Sequence, residues 1–539
     1  MPGTAPVAAT EDAFTVAGLI RRLALAQPDQ VMLVAGDERR SWAEEYRRAG
    51  QVAHACLRDG IDVGDRVAFL DRNGIAYFDV LFGGALIGAV NVAVNWRLAP
   101  NEMAAIIDDS AAEILIIHSD YVPALAAMES TLDHVRRIVV LSDGDAPVAP
   151  SADERAVPYA AWLQGCATTD PGHVGGSEEV SMQLYTSGTT GLPKGVMLTN
   201  ANLSTAISEA GDTFHIRPDT VSLVAMPLFH IGGSGWALCA MSRGGRSVIL
   251  RDVDPAVIFS LVAHERITEM FVVPAVLMAL LATPALATTD LTSLRLIFYG
   301  ASPISEDVLV RCMAEFGCGF CQVYGMTETT GAITALPFED HDPDGPRRGL
   351  LRSAGKPHPH VEIRIVDPDS GLDVALGDVG EVWTRSPYNM AGYWGKPEET
   401  AATVNGQGWL KTGDAGFCDA DGYLYLHDRM KDMIVSGGEN IYPAEVENAL
   451  LSDPSIVDAA VIGVPDEKWG ETVKAIVVLA PGATLDTARV MGHCREQLAH
   501  YKCPTSVDAV DALPRNPSGK ILKRELRAPY WADRQRHIN

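Results

Sequence analysis

The chain has 539 residues, 47% hydrophobic and 21% charged, which excludes a disordered or collagen-like polymer and provides for several buried cores. Its 69 acidic against 43 basic residues leave a net charge of −26, a field that repels phosphate backbones and excludes a nucleic-acid binder. Nine scattered cysteines exclude a disulfide scaffold.

The first fourteen residues carry neither a basic segment nor an apolar run, so no signal peptide is expected and the compartment read is the cytoplasm. Arg66–Leu70 reads as a strand, followed by an apolar helix near Tyr77–Ile87. Ile114–Ile117 and Ile138–Leu141 read as two further strands with a helix between them. Near-continuous apolar strands between helices indicate parallel sheets covered on both faces. Asp143–Asp153 and Thr168–Glu178 are rich in Pro, Gly, Asp and Ser and read as surface loops.

A strand, MQLY, then leads into YTSGTTGLPKGVMLTN, residues 185–200. Its glycines let backbone approach a ligand closely, its hydroxyls and N–H groups form an anion nest, and Lys194 adds a charge. This is a phosphate cradle. It is not a Walker A loop, because the lysine follows Pro193 and GxxxxGK[ST] is absent. Met270–Thr289 is free of charge at a membrane-spanning length, but Pro274 and Pro284 interrupt it, so a buried helix is predicted. Leu294–Tyr299 is another buried strand, and Cys318 and Cys321, though spaced as CxxC, read as small core residues. From Val361 the texture becomes β-rich, with strands VEIRIVD, GEVWTR and GYLYLHD. After Asp432 follow a helix at Ala444–Leu451, strands at Ala459–Gly463 and Ala475–Leu479, and a helix at Ala488–His500.

The cradle resembles the phosphate-loop signature of the adenylate-forming superfamily, which includes acyl-CoA synthetases, luciferases and peptide-synthetase adenylation domains. Four further segments match in order: YGMTE at 324–328, TGD at 412–414, DRMKDMIVSGGENIYP at 428–443 and PRNPSGK at 514–520. The resemblance covers essentially the whole chain. It implies an α/β fold: a large N-terminal domain, residues 1–430, of parallel-sheet α/β subdomains plus a β-rich subdomain, and a small mobile α+β domain, residues 431–539. It also implies a two-step reaction: a carboxylate attacks the α-phosphorus of ATP, releasing pyrophosphate, and the thiol of coenzyme A then displaces AMP.

The roles implied residue by residue are these. Ser187, Thr189, Thr190 and Lys194 resemble the β/γ-phosphate holders, with Thr186 and Gly188 beside them among the ATP-binding residues. Glu328 resembles the Mg²⁺ carboxylate, a hard ligand that suits this ion. Thr327 resembles the α-phosphate contact. Tyr324, with Gly325, resembles the adenine stacker, opposite a wall of Gly300, Ala301 and Ser302. Asp414 and Arg429 resemble the ribose holders. Lys520 places a positive charge between carboxylate and α-phosphate, where the transition state gains charge. Lys431 resembles the hinge, and Gly437 and Gly438 the pantetheine tunnel.

The chain ends 19 residues after Lys520, so free coenzyme A is the acceptor expected. Amino-acid-activating relatives carry an Asp within the stretch Val221–Gly235. Here it reads VSLVAMPLFHIGGSG, so an uncharged acid is expected, with His230 and Trp236 at its pocket. Gly232–Gly235 argue for room there, and Trp236 against a long tunnel. A medium- or long-chain fatty acid is the substrate expected; aryl, branched and short thioether acids, and a luciferase-type oxygenase, are the alternatives. Monomer and homodimer both stay open, and the reading includes no membrane span but leaves room for transient membrane contact.

Overall fold

The computed structural model describes residues 15–128, 132–143, 153–187, 193–429, 432–436, 439–466, 468–515 and 520–532. Two large sheets form the body of the chain. One has strand order 392–393, 193–199, 180–187, 90–93, 66–70, 112–118, 137–141 and 156–158, parallel from 180–187 onward. The other runs 356–357, 331–336, 319–326, 296–300, 269–272, 221–224, 246–249, 31–35 and 38–41, with a parallel interior and antiparallel edges. The helices Trp42–Arg58, Ile75–Ala85 and Ile231–Ser242 share one apolar cluster with strands of both sheets. Ile75–Ala85 is buried nearly all round, as a helix with no polar face must be. The Trp42–Arg58 helix is started by a capping box, in which Ser41 and Glu44 satisfy each other's backbone N–H groups.

A four-stranded antiparallel sheet, 362–366, 380–385, 410–418 and 424–429, is the β-rich section read from the sequence. A fourth group, the five strands 434–436, 439–441, 456–466, 470–479 and 506–509, forms its own sheet with its own core, covered by the helices Pro443–Leu451 and Thr487–Gln497. The α/β architecture is therefore the one expected.

The charge-free stretch resolves into a strand, Glu269–Val272, a helix, Pro274–Leu281, and a 3-10 turn, Pro284–Ala287. Each proline opens a helical turn, where its missing N–H is unneeded. Among the described residues no helix is long and apolar enough to cross a membrane. Cys318 and Cys321 are free thiols. Burial raises both, Cys318 to about 12. They are packing residues, as read.

Candidate functional site

The strand Val180–Ser187 turns back into Pro193–Thr199, which brings Thr186 opposite Lys194. Gly188, Thr189 and Thr190 lie outside the described residues, as does the side chain of Ser187. Gly195 has no space for a side chain: a Cβ there would lie 2.6 Å from Gln183 Nε2.

Glu328 sits in a 3-10 turn, Thr327–Thr329, at the end of the strand Gly319–Met326. Thr329 Oγ1 ties the turn together, accepting from Met326 N at 3.0 Å and donating to Gly331 O at 2.7 Å. Glu328 is 6% exposed. Its Oε1 accepts from Tyr393 Oη at 3.0 Å and from Thr186 Oγ1 at 3.4 Å, while Oε2 takes no hydrogen bond among the described residues. That donor set fits a Mg²⁺ ion held by one carboxylate and by substrate phosphates. Among the described residues no cluster of three or more His, Cys, Asp or Glu could hold a metal alone. Thr327, half-buried, is the first residue of the same turn.

A second group joins the large sheet's strand Gly319–Met326 to the strand Leu410–Cys418 of the four-stranded sheet. Tyr324 Oη donates to Asp414 Oδ2 at 2.8 Å, across 90 residues of sequence. Asp414 N in turn donates to Thr412 Oγ1 at 3.1 Å, and Gly413 takes φ +70°, the left-handed region that a Thr-Gly turn demands. Asp414 pairs in register with Arg429, whose side chain lies outside the described residues. Gly325 has no alternative residue: a Cβ would lie 1.9 Å from Gly331 O. Gly300 likewise faces Val323 O, at 2.2 Å from a Cβ, and Ala301 and Ser302 follow it at the strand's end.

His230 caps the start of the helix Ile231–Ser242, and Trp236 lies in the middle of that helix. His230 Nε2 is buried with no hydrogen bond among the described residues, and burial together with the nearby Arg97 guanidinium lowers its pKa to about 4. The imidazole is thus neutral at physiological pH. Trp236 Nε1 donates to Leu223 O at 3.1 Å, and the indole packs 4.9 Å from Phe298 and 6.2 Å from Phe271. The Gly232–Gly235 run is occupied by packing, not left as space. A Cβ on Gly233 would meet Pro227 O at 2.2 Å, and one on Gly232 would meet Phe271 at 2.9 Å.

Lys520 is exposed, beside the bridge between Arg515 and Ile521. Lys431, Gly437 and Gly438 lie outside the described residues.

Two residues of the first group escaped the sequence reading. Tyr393 lies in a two-residue strand, Gly392–Tyr393, paired with Pro193–Thr199, and its ring is 5.0 Å from Lys194 Nζ. Glu399, in the helix Pro397–Thr403, forms an ion pair with Lys194. Neither stands in one of the five motifs.

Residues 20–394 match the family described as AMP-binding enzyme, and 445–520 match the AMP-binding enzyme C-terminal domain. The chain belongs to the AMP-binding enzyme family. It is 39% identical to the fatty acid–[acyl-carrier-protein] ligase ScoC of Streptomyces coeruleorubidus, over 93% of each chain. It is 37% identical to a feruloyl-CoA synthase of Amycolatopsis sp, over 94% of this chain and 98% of that one. It superposes on the crystal structure of ATP-bound MatB from Rhodopseudomonas palustris with a TM-score of 0.86 at 31% identity, over 96% of this chain and 99% of MatB. As an AMP-binding enzyme with such relatives, it is an AMP-forming acid–thiol ligase that uses ATP.

Proposed function

We infer that the enzyme converts a compact, uncharged carboxylic acid to its acyl-adenylate and then to the coenzyme A thioester. The observation that carries this reading is the pair of residue groups above. One gathers Thr186, Lys194 and Glu328 at the cradle, and the other joins Tyr324 to Asp414. They suit, respectively, the polyphosphate and the nucleoside of one ATP.

Lys194 and the hydroxyls and N–H groups of 186–190 take the β- and γ-phosphates, and Thr327 the α-phosphate. Glu328 would hold Mg²⁺, which would neutralise phosphate charge when bound. Tyr324 stacks on adenine against Gly300–Ser302, and its hydroxyl fixes the Asp414 carboxylate that accepts from the ribose hydroxyls, beside Arg429. A substrate carboxylate oxygen bonds to the α-phosphorus as the bond to pyrophosphate breaks. Positioning and charge neutralisation dominate such a step. Lys520 places its ammonium by the oxygens that gain charge. The thiolate sulfur then attacks the acyl carbon, and AMP leaves with the oxygen.

The domains divide at 430/431. The separate sheet and core after Ile434 support that boundary, with Lys431 as hinge between adenylation and a thiolation orientation that presents Gly437 and Gly438. His230, neutral and apolar-faced, borders the acyl group. The fixed Trp236–Phe298 contact favours a medium-chain or aryl acid over a long chain. A carrier-protein thiol is the second acceptor considered, on the likeness to ScoC. The test is AMP and thioester formation with acids graded in chain length and ring content, each with coenzyme A or holo-carrier protein as acceptor. A long-chain optimum would refute the compact pocket.

A further inference from the structure

The segment Met390–Glu399 is strapped onto the cradle at many points. Met390 N donates to Glu328 O at 2.8 Å, and Trp394 N to Gly195 O at 2.8 Å. Tyr393 N donates to Thr400 Oγ1 at 2.9 Å. Lys396 Nζ and Trp394 Nε1 both bond to Asp109, at 2.7 and 3.0 Å, and the Arg66 guanidinium lies 3.4 Å over the Trp394 ring. The helix Pro397–Thr403 is therefore held in a fixed place, and with it Glu399. Its carboxylate pairs with Lys194, whose side chain is 13% exposed against 38% for Glu399. The ammonium meant for phosphate is thus already neutralised by a carboxylate that the reaction does not otherwise use.

We propose that Glu399 is a positioning residue that trades Lys194 to the incoming polyphosphate, takes it back afterwards, and so drives pyrophosphate out. This rests on the assignment of Lys194 to phosphate. When phosphate oxygens displace Glu399 from Lys194, the carboxylate stays anchored by the strap within a few ångströms of their negative charge. Its repulsion weakens the hold on pyrophosphate. When pyrophosphate leaves, the ion pair re-forms. No bond is made or broken; the exchange is of ion-pair partners only.

The experiment is calorimetric titration of the whole enzyme with sodium pyrophosphate in metal-free buffer, using wild type, Glu399→Gln, Glu399→Asp and Lys194→Ala. Removing one nearby like charge in a partly screened site should tighten binding about tenfold in Glu399→Gln. Glu399→Asp, which keeps the charge, should bind as wild type does. In steady state, Glu399→Gln should show a lower KM for ATP without a matching rise in kcat, and stronger inhibition by pyrophosphate. A merely structural role for Glu399 cannot tighten binding. If Glu399→Gln binds pyrophosphate as wild type does or more weakly, while Lys194→Ala binds it less, the exchange is refuted and the phosphate site stands. If Lys194→Ala binds as wild type does, both are refuted.

Discussion

Replacing Tyr393 by phenylalanine removes one hydroxyl and leaves the ring that lies 5.0 Å from Lys194 Nζ. The hydroxyl donates at 3.0 Å to Oε1 of a carboxylate that is 6% exposed. A hydrogen bond to a buried charged group contributes about 1.5–3 kcal/mol. Thr186 Oγ1 remains as a donor, but at the longer distance of 3.4 Å. If that energy is lost from the orientation of Glu328 in adenylation, kcat/KM of that half-reaction falls about 10- to 100-fold. The assay is acid-dependent exchange of labelled pyrophosphate into ATP, repeated across a Mg²⁺ titration. A parallel assay gives the mutant preformed acyl-adenylate and coenzyme A. We expect the exchange to fall and its Mg²⁺ requirement to rise, with adenylate consumption unchanged. Unchanged exchange, or equal losses in both assays, would refute the assignment of Glu328 and its partners to the polyphosphate end of ATP.

Lys520→Ala should lose on the order of 10²–10⁴ in adenylate formation while still converting supplied adenylate to thioester; equal loss in both half-reactions would refute its role. Trp236→Ala removes the indole from against Phe298, together with its hydrogen bond to Leu223 O. The acid profile should shift toward longer chains by up to about 0.8 kcal/mol per added methylene, with a lowered Tm as a control on burial; an unchanged profile places the acyl pocket elsewhere. His230 has a folded-state pKa of about 4, below its ordinary value of 6.5, so the unfolded chain takes up a proton that the native state refuses. Its contribution is present in full above the unfolded value and is lost as pH falls toward 4, by roughly 3 kcal/mol in all. Thermal unfolding of His230→Gln should therefore depend less steeply on pH between about 6.5 and 4 than that of the wild type; parallel curves would refute this.

The fold was legible where burial leaves a one-dimensional trace. The strands Ala112–His118 and Arg137–Leu141 are apolar along nearly their whole length because parallel strands are covered on both faces. Strand order was not legible. Val31–Ala35 lies beside Arg246–Ile249, a pairing across the whole body that no local pattern encodes. The charged motifs marked most of the candidate site, because phosphate chemistry needs particular residues close together in sequence. Tyr393 and Glu399 left no such mark. Gly392–Tyr393 is a two-residue strand with no period to detect, and Tyr393 reaches Glu328 over 65 residues. The glycines at 232–235 misled for a related reason. Absence of a side chain reads equally as space for a ligand or as contact with backbone, and at Gly233 it is contact with Pro227.

In the proposed reaction a substrate carboxylate oxygen becomes bonded to the α-phosphorus of ATP. The direct measurement uses a carboxylic acid labelled with oxygen-18 in both carboxyl oxygens, turned over with ATP, Mg²⁺ and coenzyme A, followed by mass spectrometry of the nucleotide product. We expect AMP carrying a single labelled oxygen, with unlabelled pyrophosphate and one labelled oxygen kept in the thioester. Unlabelled AMP, or ADP in its place, would contradict it.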